Sequence, residues 1–414
     1  MLGLVDTAIL GHLEEAKYLS AVAIGTSLLS FVFWGLAFLR MGTTGASAQA
    51  RGRGAELELV LLQASLLALA IAAGLLLIAP LAIHSALLLM NTPEASLALA
   101  EEYISIRLWG SPAQLLTFGV TGWLIGQQKA RAALVITLVV NLCNIGLDWL
   151  LILEWQMNSR GAAIATVLSE YLGLAIALYV VRRELIAGLK NPAVTKKLRM
   201  VSQYFELLKT NTNLFIRTLV LMGSIMFFTS QGAAQGETIL AANTILFNLM
   251  LLTAYGLDGF AQAAEALVGE AIGKKDKPEF NRICRAAFYW SLANAIIFCL
   301  IYWLGKPLWL GLMTDIPEVS AAASQYYGWL VILPLCSFLA YFLDGVFIGS
   351  MQTQWMRRMM IISSVCVYFP AWWLTQDWGN QGLWFAFVLW NLARSLSLVI
   401  AFPAIGKMFP KHLA

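Results

Sequence analysis

Apolar runs of spanning length recur along the chain at roughly 17–40, 57–83, 97–127, 131–154, 160–182, 206–232, 238–268, 283–311, 320–350, 356–376 and 380–406. About 20 apolar residues cross the hydrocarbon core as a helix, so each run predicts one membrane span. A shorter apolar segment, Gly3 to Leu13, precedes the pair Glu14 and Glu15. It reads as the outer half of a first helix whose beginning lies upstream. The expected fold is an all-α polytopic membrane protein of about twelve transmembrane helices in two pseudo-symmetric six-helix lobes, with the first helix truncated.

The connections alternate in charge. One set carries Arg51 and Arg53, Lys129 and Arg131, the cluster from Arg182 to Arg199, Lys274 to Arg282, Arg357 and Arg358, and Lys407 and Lys411; the other holds Glu101, Glu102, Glu154, Asp315, Glu318 and Asp377. An excess of lysine and arginine marks the cytoplasmic side, which places both termini there, in a cell (inner) membrane. The longest polar connection, basic and containing Pro192, falls near the midpoint. It predicts an N-terminal lobe over 1–182, a cytoplasmic linker over 183–205 and a C-terminal lobe over 206–414. An offset of 221 residues supports the division, pairing Gly11 with Gly232, Gly35 with Gly256, Gly52 with Gly273 and Gly161 with Gly382. Such weak internal similarity is what tandem transporter halves show. The carboxylates do not repeat: Asp6 pairs with Phe227, Asp148 with Phe369 and Asp258 with Ala37. The halves are therefore expected to share a scaffold and divide the chemistry.

Composition narrows the class. The chain is 60% hydrophobic and 12% charged, against about 25% charged in soluble domains. Its net charge of +4 is modest and one-sided, so no nucleic-acid partner is expected. The five cysteines lie scattered in apolar stretches without metal spacing and read as small buried hydrophobes. His12, His84 and His412 are far apart, and neither HExxH nor GxSxG occurs, which argues against an enzyme. The stretch Gly42 to Gly54 (GTTGASAQARGRG) is glycine-rich but lacks the GK[ST] of a phosphate loop, which argues against an ATP motor.

Ionisable groups inside apolar runs are functional candidates, because a charge left in hydrocarbon costs roughly 3 kcal/mol or more. Asp6 is the first. Asn144 and Asp148, in NLCNIGLDWLLIL, are spaced i, i+4 and project from one helix face. With Asp6 and Thr166 they would form a hard-oxygen pocket, a candidate Na+ site or a shared proton site, with the coupling ion left open between the two. In the C-terminal half Arg217, Asn243, Asn248, Asp258, Glu265 and Asp344 fall inside apolar runs. Arg217 is expected to pair with Asp258. Asp344, with no cation near it in sequence, is read as a substrate- or proton-linked acid. The intramembrane charge leans acidic, which disfavours the alternative of a flippase for an amphiphile or a lipid-linked precursor.

The segments GLVDTAxxGHL, WGxxFLRMGTTGxxAQAxG, NLxxNIxLDxLLI, GAAxAT, FIRT, LAANxxLxN and LDGFAxAAEALVGxAIG together resemble the DinF-like branch of the MATE (multidrug and toxic compound extrusion) transporters. The resemblance covers nearly the whole chain. It implies two six-helix lobes enclosing a cavity, and export of small organic, often cationic compounds in exchange for H+ or Na+. It further implies cation coupling at Asp6, accompanied by Asn144, Asp148 and Thr166, and a coupling or substrate role for Asp258. No cofactor beyond the coupling ion is expected, and the protein is expected to act as a monomer in the bilayer.

Overall fold

With no water in the bilayer core, backbone groups are satisfied only within the segment itself, so long apolar runs become helices. The structure, a computed structural model, describes residues 16–409; Asp6 lies outside them. Among the described residues, ten helical segments are long and apolar enough to cross a membrane. An eleventh span is made of two shorter pieces, Glu94–Leu108 (α4) and Ser111–Gly126 (α5), separated at Trp109 and Gly110. Each apolar run thus has its helix. Several helices overshoot their runs into polar sequence: Glu237–Gly273 (α11) and Lys277–Met313 (α12) are 37 residues each. The joint between them is set locally. Lys275 takes a positive φ of 59°, and Asp276 caps α12 by accepting from the Glu279 amide at 2.8 Å.

The described residues form two compact units. Unit 1 holds the residues up to Thr43 and Gly54–Glu206. Its spans are Ala16–Leu36 (α1), Leu57–Leu89 (α3), α4 with α5, Ala130–Asp148 (α6) continued by a π-helix at Trp149–Glu154, and Asn158–Val180 (α7). Two short helices follow, Arg182–Lys190 (α8) and Pro192–Leu198 (α9). The stretch expected as a plain polar linker therefore has structure of its own. It packs back on unit 1, with Leu185, Val194 and Leu198 against Leu59 and Leu62 of α3.

Unit 2 holds Thr44–Arg53 and the residues from Leu207 onward. Its spans are Phe205–Ala233 (α10), α11, α12, Pro317–Gly349 (α13), Thr353–Ile362 (α14) with a π-helix at Ser363–Tyr368 and Phe369–Thr375 (α15), and Asn380–Ala401 (α16). Its centre is aromatic: Phe228, Tyr368, Trp384, Phe387 and Trp390 are buried together. The polar tips of both tryptophans find partners, Trp384 Nε1 on Asn243 Oδ1 at 2.9 Å and Trp390 Nε1 on Ser364 Oγ at 3.0 Å.

The glycine-rich stretch after Gly42, where the charge pattern put a connection between two spans, is the body of a helix, Phe38–Arg53 (α2). Residues Thr44–Arg53 of that helix pack inside unit 2, where Gln49 Nε2 donates to the Gly349 carbonyl at 3.0 Å and Arg51 pairs with Glu270 at 3.2 Å. A Cβ on Gly52 would overlap the Glu270 carbonyl, and one on Gly345 the Ala261 carbonyl. Lipid tails are as apolar as leucine, so helices in a membrane associate by close backbone approach, and small residues mark the contact.

Candidate functional site

In unit 1 the end of α6 carries the predicted oxygen cluster. Asn144 and Asp148 have no solvent exposure (0% each), and Thr166 of α7 has 1%. Asn144 Nδ2 donates to Thr166 Oγ1 at 3.4 Å, and that hydroxyl donates onward to the Ala162 carbonyl at 3.0 Å. The donating end of the amide is thus spent on a neighbour. Its acceptor end, Asn144 Oδ1, is buried with no hydrogen-bond partner among the described residues. A buried unsatisfied acceptor costs about 1–3 kcal/mol, which a bound cation or proton donor would recover. Directly after Asp148 the helix widens into the π-helix Trp149–Glu154, a distortion that is common at functional sites. The described residues that fit a hard cation or a proton are therefore Asn144, Asp148 and Thr166.

Thr166 also lines a cavity of about 440 Å³ inside unit 1, between α1, α4, α5, α6 and α7. Among the described residues its charged lining consists of Arg107 and Glu170, paired at 3.0 Å and both buried. The break between α4 and α5 makes room for this pair, since a Cβ on Gly110 would overlap the Glu170 carboxylate. Glu170 lies one turn beyond Thr166 on the same face of α7. Sequence reasoning passed over both charges, although each sits inside an apolar run, in ISIRLWG and VLSEYLG. The rule that singled out Asp6 would have found them.

Unit 2 collects different chemistry. Arg217 of α10 donates to Asp344 Oδ2, and Arg394 of α16 approaches the same oxygen at 3.6 Å. Arg394 also donates to Asn391 Oδ1 at 3.4 Å and lies over the Trp390 ring at 5.2 Å. One expectation is corrected here. Arg217 holds Asp344 rather than forming the expected pair with Asp258, and Asp344 sits between two cations that lie 127 and 50 residues away in sequence. Asp258 and Asp344, Arg217 and Arg394 all act electrostatically on the Tyr341 phenol, a group with balanced charge. The intramembrane charge is also less acidic than it reads: Arg107, Arg217 and Arg394 are buried alongside Asp148, Glu170, Glu265 and Asp344.

The remaining predicted residues of unit 2 divide. Asn243 exchanges two hydrogen bonds with Asn380, at 2.8 and 2.9 Å, and accepts a third from Trp384. Its amide is occupied in fastening α11 to α16. Glu265 is buried on α11, whereas Asn248 and Asp258 are exposed on that helix.

A family model for MatE matches residues 1–150 and 214–373. The chain belongs to the MATE family. Over 406 residues it is 38% identical to the DNA damage-inducible protein F of Escherichia coli, covering 96% of this chain and 87% of that protein. It is also 26% identical over 328 residues to the probable multidrug resistance protein NorM of Thermotoga maritima, covering 77% of this chain and 69% of that protein. Among solved structures it resembles the MATE transporter VcmN of Vibrio cholerae in its bent form. That match has a TM-score of 0.85 at 20% identity and covers 99% of this chain and 94% of that one. At that identity the likeness speaks for the fold alone. The chain is a multi-pass membrane protein of a transporter family, and the site residues of this MATE protein rest on the geometry above.

Proposed function

We propose that the protein is a secondary active efflux antiporter, exporting organic, often cationic compounds in exchange for H+ or Na+ by alternating access. It acts as a monomer in the inner membrane with both termini cytoplasmic. The observation that carries the reading is the fully buried Asn144 Oδ1, unpartnered among the described residues, one helical turn from Asp148 and on the amide that donates to the Thr166 hydroxyl. Asp6, outside the described residues, is the second carboxylate that this reading adds to the set. When external cation reaches the set, it neutralises the carboxylates and favours the conformation that releases substrate outward. Substrate and coupling ion thus bind in alternation. A gradient drives export only if the ion binds the two conformations with different affinity. One charge crossing 100 mV supplies about 2.3 kcal/mol.

A flippase for a pyrophosphate-bearing lipid precursor would need a cavity with surplus basic charge. Arg107 in the unit 1 cavity is matched by Glu170, which favours the exporter.

The test is efflux of an organic-cation dye from proteoliposomes of the full-length protein, with proton and sodium gradients imposed separately, for wild type, Asp6→Asn and Asp148→Asn. One gradient is expected to drive wild-type efflux by at least about tenfold over no gradient, and both variants are expected to lose that response while still inserting. Full gradient-driven efflux in the variants overturns the assignment of the site. Indifference of wild type to both gradients overturns antiport and moves the assay to lipid translocation.

A further inference from the structure

The segment joining α7 to α10 has a second face that is exposed among the described residues. Its inner face is spent on unit 1. Leu185, Val194 and Leu198 pack on Leu59 and Leu62, Gly188 lets α8 approach Glu58 and Leu62, and two ion pairs, Lys129 with Glu184 at 3.0 Å and Lys197 with Glu56 at 2.8 Å, fasten it. These anchor points fix its depth. One span ends at Val180, the next begins at Val201, and Leu57 opens a third. Residues 182–200 therefore lie along the ends of three spans, at the level of the bilayer surface.

The outer face combines two features. Ile186 and Leu189, three apart on one side of α8, are 50% and 60% exposed. Around them Arg183, Lys190, Lys196 and Arg199 are exposed and, among the described residues, have no ion-pair partner. An amphipathic helix with apolar residues bordered by lysine and arginine is the pattern of an in-plane membrane binder. Neutral headgroups would leave the four charges without counterions; anionic lipids near a basic segment gain roughly fivefold in affinity per lysine or arginine.

We propose that residues 182–200 form an interfacial platform that docks on anionic phospholipid, with Ile186 and Leu189 set into the acyl boundary and Arg183, Lys190, Lys196 and Arg199 on the lipid phosphates. Because the chain passes here from unit 1 to unit 2, bound lipid holds the connecting segment at a fixed depth. The proposal is independent of the exporter reading and of which ion is coupled.

The test uses the full-length protein in nanodiscs of equal phosphatidylcholine and phosphatidylglycerol, with the lipids that survive detergent washing counted by native mass spectrometry. Wild type is expected to retain phosphatidylglycerol over phosphatidylcholine by about tenfold or more. The variant Arg183→Gln, Lys190→Gln, Lys196→Gln, Arg199→Gln is expected to fall to near parity. Ile186→Ser with Leu189→Ser is expected to lower retention several-fold with the charges intact. Arg357→Gln with Arg358→Gln, which removes charge from another basic connection, is expected to keep the wild-type preference. Parity in wild type, or a preference that survives the fourfold variant or is lost equally in the Arg357 and Arg358 control, overturns the proposal. A readout free of any variant is salt: washing wild type at about 1 M instead of about 0.05 M shortens the screening length from roughly 14 to 3 Å and should erase the preference. Insensitivity to salt also overturns it.

Discussion

The two units bury carboxylates in different ways. In unit 1 Asp148 is fully buried at the start of a π-helix, one helical turn from Asn144, whose Oδ1 has no hydrogen-bond partner among the described residues. In unit 2 Asp344 is held between two guanidinium groups. A carboxylate fixed by two arginines has its charge already balanced and gains little from a further cation. A carboxylate without such a clamp does gain, so it can respond to a gradient. Under the proposed function ion exchange belongs to unit 1 and Asp344 holds a positioning role, although each unit interrupts one span with a π-helix, at Trp149–Glu154 and at Ser363–Tyr368.

Removing the unit 2 charge should show the contrast most strongly. Asp344→Asn leaves Arg217 and Arg394 buried together without their anion, and breaking a buried pair costs about 3–5 kcal/mol. Its melting temperature in detergent is expected to fall well below that of Asp148→Asn; equal losses would erase the distinction. Glu170→Gln should rank next, at about 1–2 kcal/mol, because its arginine faces a cavity of about 440 Å³ that can admit water. Thr166→Val removes the acceptor for Asn144 Nδ2. A loss of about 1 kcal/mol or less in stability is expected, with a several-fold weaker response to the coupling ion measured at equal protein load. The smallest effect lies outside the spans. The hydrogen bond that Lys274 donates to Glu270, with Glu279 nearby, raises the Lys274 pKa above its ordinary 10.5. Lys274 therefore contributes stability below that value and loses it as pH rises through the higher folded value. Lys274→Met should flatten the fall in melting temperature above pH 10.5 and leave neutral pH unchanged.

The spans were legible because mean apolarity over some twenty residues needs no tertiary information. The unit 1 oxygens were legible for a similar reason, since Asn144 and Asp148 share a helix and their spacing fixes a common face. The clamp on Asp344 was not, because its arginines come from α10 and α16 and spacing within one helix says nothing about which spans meet. Arg107 and Glu170 were visible as charges in apolar runs, but not as partners. The helix through the stretch after Gly42 was not legible, for a physical reason. Glycine lowers helix propensity by about 1 kcal/mol in water, whereas in the bilayer Gly45 and Gly52 are where α2 meets the backbone of α13 and α11. Asn243 read as a site residue because a buried amide is costly, and that cost is met by Asn380 and Trp384.

The division of labour is tested most directly by cation binding to the purified full-length protein in detergent, followed by calorimetry as H+ or Na+ is titrated, for wild type, Asp148→Asn and the charge-balanced Arg217→Met with Asp344→Leu. Wild type and the unit 2 double variant are expected to bind the coupling cation with affinities within a few-fold of each other, and Asp148→Asn to show no saturable binding. Saturable binding that survives Asp148→Asn and is lost with the unit 2 pair would contradict the assignment of ion exchange to unit 1.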